Sequence, residues 1–177
     1  SRGLGDVYKR QDQSGWPWFN RLLPDGPEII VVAMVAVTDC TADNGATRVV
    51  PGSHRRPDSP ELFDPNNAVP VEMEAGSGLL FSGKTVHGGG ANTTVDQWRQ
   101  ALHVSYLQGW LRAEEAHPLA VPPAVAAGLP RRAQELLGFA EYDPAPLEGG
   151  RLWLVDFEDP ALLIDATTRP TESDPNR

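Results

Sequence analysis

One cysteine, Cys40, and two lysines, Lys9 and Lys84, are all that this 177-residue chain holds of either type. A lone cysteine excludes an intrachain disulfide, so the fold has to rest on its apolar core, and a reducing, cytoplasmic setting is the simplest one for it. Cys40 itself reads as a small buried hydrophobe. No apolar run approaches the ~20 residues that span a bilayer, and the first residues lack the apolar stretch of a secretory signal. Positive charge is also scarce, since 15 Lys and Arg face 24 Asp and Glu for a net charge of −9. Nucleic acids and anionic membrane surfaces reward clustered cations, so neither is an expected partner. No serine has the glycines of a Gly-x-Ser-x-Gly elbow. This excludes an α/β-hydrolase, although His87 followed by three glycines resembles the oxyanion loop of one. There is no internal repeat.

What is present is enough apolar content, 40% of residues, to build one globular domain. The run Glu28 to Val37 (EIIVVAMVAV) is β-branched and continuous, which predicts a strand buried on both faces. Asp43-Asn-Gly45 predicts a turn, Thr47 to Val50 a returning strand, and Pro51-Gly-Ser-His54 its end. Val69 to Glu74 alternates, Leu79 to Phe81 leads on toward Thr85 to His87, and Gln100 to Gly109 alternates again with Ala101, His103, Ser105 and Leu107 on one face. Strands at this spacing point to a sandwich or jelly roll. Past Trp110 the pattern changes: Pro123 and Pro130 predict two short helix starts, and Gly138 a helix end.

The ends stand apart from this domain. Ser1 to Gln11 (SRGLGDVYKRQ) has neither period and resembles a translated adapter sequence, so residues 1–11 are expected to be a non-native leader and the native domain to span residues 12–157, truncated upstream. Residues 158–177 are expected to be an acidic C-terminal tail.

The chemistry turns on His87, held at the end of an apolar run and followed by Gly88, Gly89 and Gly90. A non-haem metal centre with open positions takes two His and one carboxylate on one face of the ion. The candidates are Asp12, His54, His103 and His117. His103, on an alternating strand, reads as a core histidine or a ligand's partner rather than a ligand; His54 as a turn residue; and His117, beside a proline, as exposed. Trp16 and Trp18 follow Asp12 closely enough to face a substrate.

Four segments, AVTDCTADNGATRVVPGSHRR (Ala36 to Arg56), LLFSGKTVHGGGANTT (Leu79 to Thr94), QWRQALHVSYLQGWLR (Gln97 to Arg112) and PRRAQELLGF (Pro130 to Phe139), in this order and spacing, resemble the phytanoyl-CoA dioxygenase (PhyH-like) branch of the Fe(II)/2-oxoglutarate oxygenases. The resemblance runs from about Asp12 to about Phe139. It implies a mainly β fold, a double-stranded β-helix (a cupin-like jelly roll) with short C-terminal helices. It also implies Fe(II), 2-oxoglutarate as cosubstrate and O2, and a small-molecule substrate that the sequence does not identify. His87 matches the distal iron ligand and Asp12 the carboxylate of a His-x-Asp pair whose histidine position is held here by Arg10. Arg99, twelve residues after His87, matches the residue that grips the far carboxylate of 2-oxoglutarate, a task suited to a planar guanidinium. Met34 is expected to wall the cosubstrate pocket. With Arg10 in place of the first ligand, this chain is expected to be incomplete and weakly active. Two other readings stand beside this one: a cupin-like metal protein of different chemistry, and a non-catalytic ligand-binding jelly roll.

Overall fold

The computed structural model describes residues 10–22, 25–56, 64–143 and 150–168. They fall into two compact units, residues 1–108 and 109–177, where the sequence suggested a single domain over 12–157. The first unit is built from two antiparallel three-stranded sheets. In one, β1 (Ile30–Ala36) is the central strand between β4 (Gly78–Ser82) and β6 (Ala101–Leu107). In the other, β2 (Arg48–Val49) lies between β3 (Val69–Pro70) and β5 (His87–Gly88). This is the mainly β, antiparallel jelly-roll pairing that the strand spacing predicts.

The register decides which side chains meet. On β1, Ile30, Val32, Met34 and Ala36 are buried. Met34 stands opposite Leu79 on one side and His103 on the other, and Val32 opposite Phe81 and Ser105. The inner face therefore includes Ala101, His103, Ser105 and Leu107, the set that alternation in β6 picks out. The expectation that β1 is buried on both faces is overturned: Val31 is 46% exposed, and Leu80 and Leu102, opposite Ala33 and Val35 on that same face, are 73% and 57% exposed. A continuous apolar run does not report which face a partner layer covers, because both faces carry similar side chains.

Loops then fix the short strands. Asn44 folds its own turn, accepting from the Thr41 N–H and donating to the Asp39 carbonyl. Gly45 follows at φ +92°, and a Cβ there would lie 2.8 Å from the Gly90 carbonyl oxygen. A Cβ on Gly90 would lie 2.6 Å from the Ala46 carbonyl oxygen, so the glycine run after His87 lets two backbones pass in contact. In the Pro51-Gly-Ser-His54 turn, Gly52 is left-handed at φ +76°, and the fully buried Ser53 hydroxyl accepts the Val86 N–H at 2.9 Å, tying the turn to the strand that carries His87. Lys84, almost wholly buried, has its ammonium 3.2 Å from Glu28 and donates to the Gly26 carbonyl, which closes the segment between β4 and β5.

Arg10 and Gln11 differ from the leader assigned to residues 1–11. Arg10 exchanges two backbone hydrogen bonds with His87, at 2.9 and 3.0 Å. Gln11 is buried and donates to the Lys84 carbonyl at 2.6 Å. Their pairing partners are distant in sequence, so no local periodicity reveals it. Residues 1–9 lie outside the described residues.

In the second unit, α2 (His117–Ala120), α3 (Pro123–Ala127), α4 (Arg131–Leu136) and α5 (Pro160–Thr168) are all helical, following a short α1 (Pro17–Asn20) in the first unit. Pro123 opens α3 as expected, and Gly138 ends the α4 segment at φ +81°. Ala126, Phe139 and Ile164 form this unit's buried cluster. Ile164 belongs to α5, so residues 160–168, which fall in the expected acidic C-terminal tail, are a helix docked on α3. A two-residue apolar contribution is too little to reveal a helix by period, and only its partner supplies the reason to fold. Residues 169–177 of the expected tail lie outside the described residues.

Candidate metal and cosubstrate site

Asp12 opens a 3-10 turn, Asp12–Gly15, immediately after the Arg10–His87 bridge. That bridge brings Asp12 to His87: one carboxylate oxygen, Oδ1, lies 3.6 Å from His87 Nε2. The other, Oδ2, lies 3.5 Å from His103 Nε2. Arg10 Nε approaches Oδ1 as well, at 3.3 Å, from a side chain that is 62% exposed against 11% for Asp12.

His87 is oriented for donation. Its Nδ1 lies 3.0 Å from the Thr85 carbonyl oxygen. A carbonyl only accepts, so Nδ1 carries the hydrogen, and in the neutral ring the Nε2 lone pair points away toward Asp12. Phe81 packs its ring at 5.0 Å and 62° to the imidazole, fixing its tilt. The buried side-chain atoms left without a hydrogen bond include Asp12 Oδ2 and His87 Nε2. Oδ2 faces His103 and Nε2 faces Oδ1, and buried polar atoms left without a partner are costly unless something else satisfies them.

The donor set fits a cation. Two ligand atoms on one first-row ion, at bonds of about 2.1 Å, lie no more than about 4.2 Å apart, which accommodates the 3.6 Å between Asp12 and His87. Oxygen and imidazole nitrogen together suit Fe(II) and its neighbours. Among the described residues, however, no three of His, Cys, Asp and Glu form a group that could hold a metal ion. Two donors converge, and the residue beside them is a guanidinium. In an antiparallel bridge, directly opposed side chains lie on one face with Cβ atoms about 5 Å apart, so any side chain at position 10 stands next to His87.

The other expected residues are placed as follows. Met34 is buried on β1, and its sulfur accepts from the Thr47 hydroxyl at 3.2 Å, joining the two sheets on their inner side. Arg99 is half-buried, two residues before β6. Among the described residues its guanidinium has no hydrogen bond or ion pair. It does lie within electrostatic range of Cys40: burial pushes that thiol up, and the Arg99 charge acts in the opposite direction. Cys40 is otherwise packed against Ala36, Ala46 and Met73, as a buried hydrophobe would be. His54 lies in the 3-10 turn Ser53–Arg55, and His117, which is half-buried rather than exposed, opens α2 in the second unit. Trp16, which precedes α1, is half-buried, and Trp18, within α1, is exposed. What sequence reasoning underweighted was His103, whose inward position in β6 was the signal that could have linked it to Asp12.

The chain is 43% identical over 154 residues to the dioxygenase FUM3 of Gibberella moniliformis, covering 87% of this chain and 50% of that protein. It is 40% identical over 154 residues to the dioxygenase ALT11 of Alternaria alternata, with the same coverage. It thus spans about half the length of the curated relatives it matches. Among solved structures, AviO1 from Streptomyces viridochromogenes Tue57 superposes with a TM-score of 0.47 at 22% identity, over 62% of this chain and 46% of that one. The phytanoyl-CoA dioxygenase (PhyH) family matches residues 5–101, which hold the Arg10–His87 bridge, Asp12, the glycine run and Arg99. The chain belongs to the phytanoyl-CoA dioxygenase family.

Proposed function

We propose that the protein of which this chain is a part is an Fe(II)- and 2-oxoglutarate-dependent dioxygenase that hydroxylates a small organic substrate, and that the chain in its present form is a weakly active version of that site. The observation that carries the reading is the approach of Asp12 Oδ1 to His87 Nε2 at 3.6 Å, with Nε2 buried and without a hydrogen-bond partner. In this reading both residues hold the iron. When bound, iron with 2-oxoglutarate supplies the oxidising power for attack on an unactivated C–H bond, at the expense of oxidative decarboxylation of the cosubstrate.

The residues of the chain do the rest. Thr85 keeps the His87 hydrogen on Nδ1, so Nε2 stays free to donate. Arg99, half-buried and unpaired among the described residues, is suited to a cosubstrate carboxylate, which a guanidinium holds by two parallel hydrogen bonds. Met34, with its sulfur held by Thr47, lines the apolar side. Arg10 cannot deprotonate to ligate, and its Nε occupies the neighbourhood of the very oxygen that faces His87. A reducing, cytoplasmic setting belongs to this reading and rests on the lone cysteine. The alternative, a cupin-like protein that binds a metal or ligand without this oxidation, shares Asp12 and His87 but gives Arg99 no task.

The test is titration with Co(II) or Fe(II) of the chain and of its Arg10→His form, with and without 2-oxoglutarate. Weak binding by the chain, at least about tenfold tighter binding by Arg10→His, and further tightening by 2-oxoglutarate are expected. Tight, 2-oxoglutarate-enhanced binding by the unmodified chain would remove Arg10 as the defect. Binding indifferent to 2-oxoglutarate in both forms would favour the alternative.

A further inference from the structure

We propose that His103 is a positioning residue for the metal-ligating carboxylate: it donates from Nε2 to Asp12 Oδ2 and so keeps Oδ1 as the single ligating oxygen. This rests on the reading of Asp12 and His87 as ligands. The two oxygens of Asp12 have been sorted by the fold. Oδ1 faces His87 Nε2 at 3.6 Å. Oδ2 faces His103 Nε2 at 3.5 Å and, although buried, has no formed hydrogen bond. Two imidazoles therefore address one carboxylate from different strands, β5 and β6, and from different sides.

Their chemistry is complementary. His87 has its hydrogen on Nδ1, spent on Thr85, and offers a lone pair at Nε2. His103 is useful to Oδ2 only in the other tautomer, with the hydrogen on Nε2, because a carboxylate oxygen accepts and does not donate. The 3.5 Å separation exceeds a formed N–H···O bond by a few tenths of an ångström, a gap that a small rotation of the Asp12 side chain closes. His103 is well placed to wait for it: its register partner Met34 is buried on the inner face of β1, while its own side chain stays 33% exposed at the rim.

Without a donor on the outer oxygen, a carboxylate can swing to bind an ion through both oxygens and consume a coordination position. A donor there fixes it as a one-point ligand and leaves adjacent positions for a chelating cosubstrate. Partners of this kind orient ligands and typically contribute 10–100-fold to metal affinity.

The experiment measures Co(II) affinity and the Co(II) absorption spectrum for the chain and for its Arg10→His form, each with His103 intact, His103→Gln and His103→Leu. The thermal midpoint of each metal-free form serves as the folding control. Gln keeps a side-chain donor and Leu does not. His103→Leu is expected to weaken Co(II) by about 10–100-fold, and His103→Gln to restore it to within about threefold at an unchanged number of nitrogen donors. Nitrogen-15 spectra of the imidazoles should show the His103 hydrogen on Nε2, and still there after Zn(II) is added, while the His87 Nε2 resonance moves. Equal affinity for all three residues at 103 would overturn the proposal. So would loss of affinity in His103→Gln equal to that in His103→Leu, with one nitrogen donor fewer, which would make His103 a ligand. If binding depends on His87 but not on His103, only this proposal falls. If no form binds Co(II), Arg10→His included, the metal reading falls with it.

Discussion

Asp12 in the first unit and Asp159 in the second are both largely buried carboxylates with an arginine nearby, and they are finished in opposite ways. Asp159 precedes α5. Its Oδ1 accepts the N–H groups of Ala161 and Glu141, each at 3.0 Å, and its Oδ2 accepts from Arg131 at 3.1 Å. Burial pushes its carboxyl up, but the two backbone donors and Arg131 outweigh that, and the net shift is downward from the usual 3.8. Asp12 collects two imidazoles and a guanidinium at 3.3–3.6 Å and leaves one oxygen with no hydrogen bond. A carboxylate whose acceptors are all engaged by nearby donors is holding a fold together. One whose partners converge without closing keeps acceptor capacity that a bound ligand could fill.

Substitution at each carboxylate breaks that contrast most sharply. Asp12→Ala should cost at least about a hundredfold in Co(II) affinity, more than loss of a ligand's partner usually does, in the Arg10→His form where binding is measurable. The same change should leave the thermal midpoint of the metal-free protein level or raised, because it removes a buried oxygen that nothing satisfies. A clear fall in the midpoint would mean that Asp12 is structural, like Asp159.

Next in size is Arg99→Ala. Loss of a guanidinium that holds a carboxylate in a desolvated site costs on the order of 2–5 kcal/mol. In the Arg10→His form, the concentration of 2-oxoglutarate that half-saturates the Co(II) signal should therefore rise by about thirtyfold or more, with Co(II) affinity in its absence unchanged. No change in the 2-oxoglutarate titration would remove Arg99 from the site.

Asp159→Ala should destabilise the second unit by about 1–2 kcal/mol, the cost of losing a helix-capping carboxylate, and leave Co(II) titration untouched. Its pH dependence has a definite sign. A carboxyl whose folded value is depressed contributes stability above its unfolded value and loses it as pH falls through the folded one. The advantage of the natural chain over Asp159→Asn should thus be full at neutral pH and shrink below about pH 3.8, followed by helix circular dichroism. An advantage that grows on acidification would reverse the assignment.

The smallest effect concerns Cys40. Burial raises its thiol, so a thiol reagent should label the native chain far more slowly than the urea-unfolded chain, with little change to the Co(II) titration until unfolding. Rapid native labelling would show that the core around Ala36 and Ala46 opens easily.

Much of this was open to reading along the chain. The alternation of Gln100 to Gly109 sorted β6 into two faces, the Asp43-Asn-Gly45 stretch marked a turn, and Pro123 and Gly138 the helix limits, because each signal is local: side-chain period, a positive φ, a missing N–H. His87 and Asp12 were candidates by residue type, and the resemblance to the PhyH-like oxygenases implied roles for them and for Arg99. The α5 helix was not legible, since Ala161 and Ile164 are too few to show a period and Ile164 acquires meaning only against Ala126 and Phe139. Nor was the exposed outer face of β1, because Val31 and Val32 are the same residue type and only the layer beside them differs.

The sequence by itself determined that the chain makes antiparallel strands around an apolar core, that no disulfide braces it, and which ionisable residues could do chemistry. Tertiary structure alone decided which of those residues meet. Arg10 and His87 are far apart along the chain, yet a two-bond bridge makes them neighbours, and β6 pairing with β1 carries His103 to the opposite oxygen of the same carboxylate. The physical reason is that contact between distant residues is set by strand order and register. A shift of one residue would turn His103 to the outer face of the sheet and leave Asp12 with one imidazole instead of two.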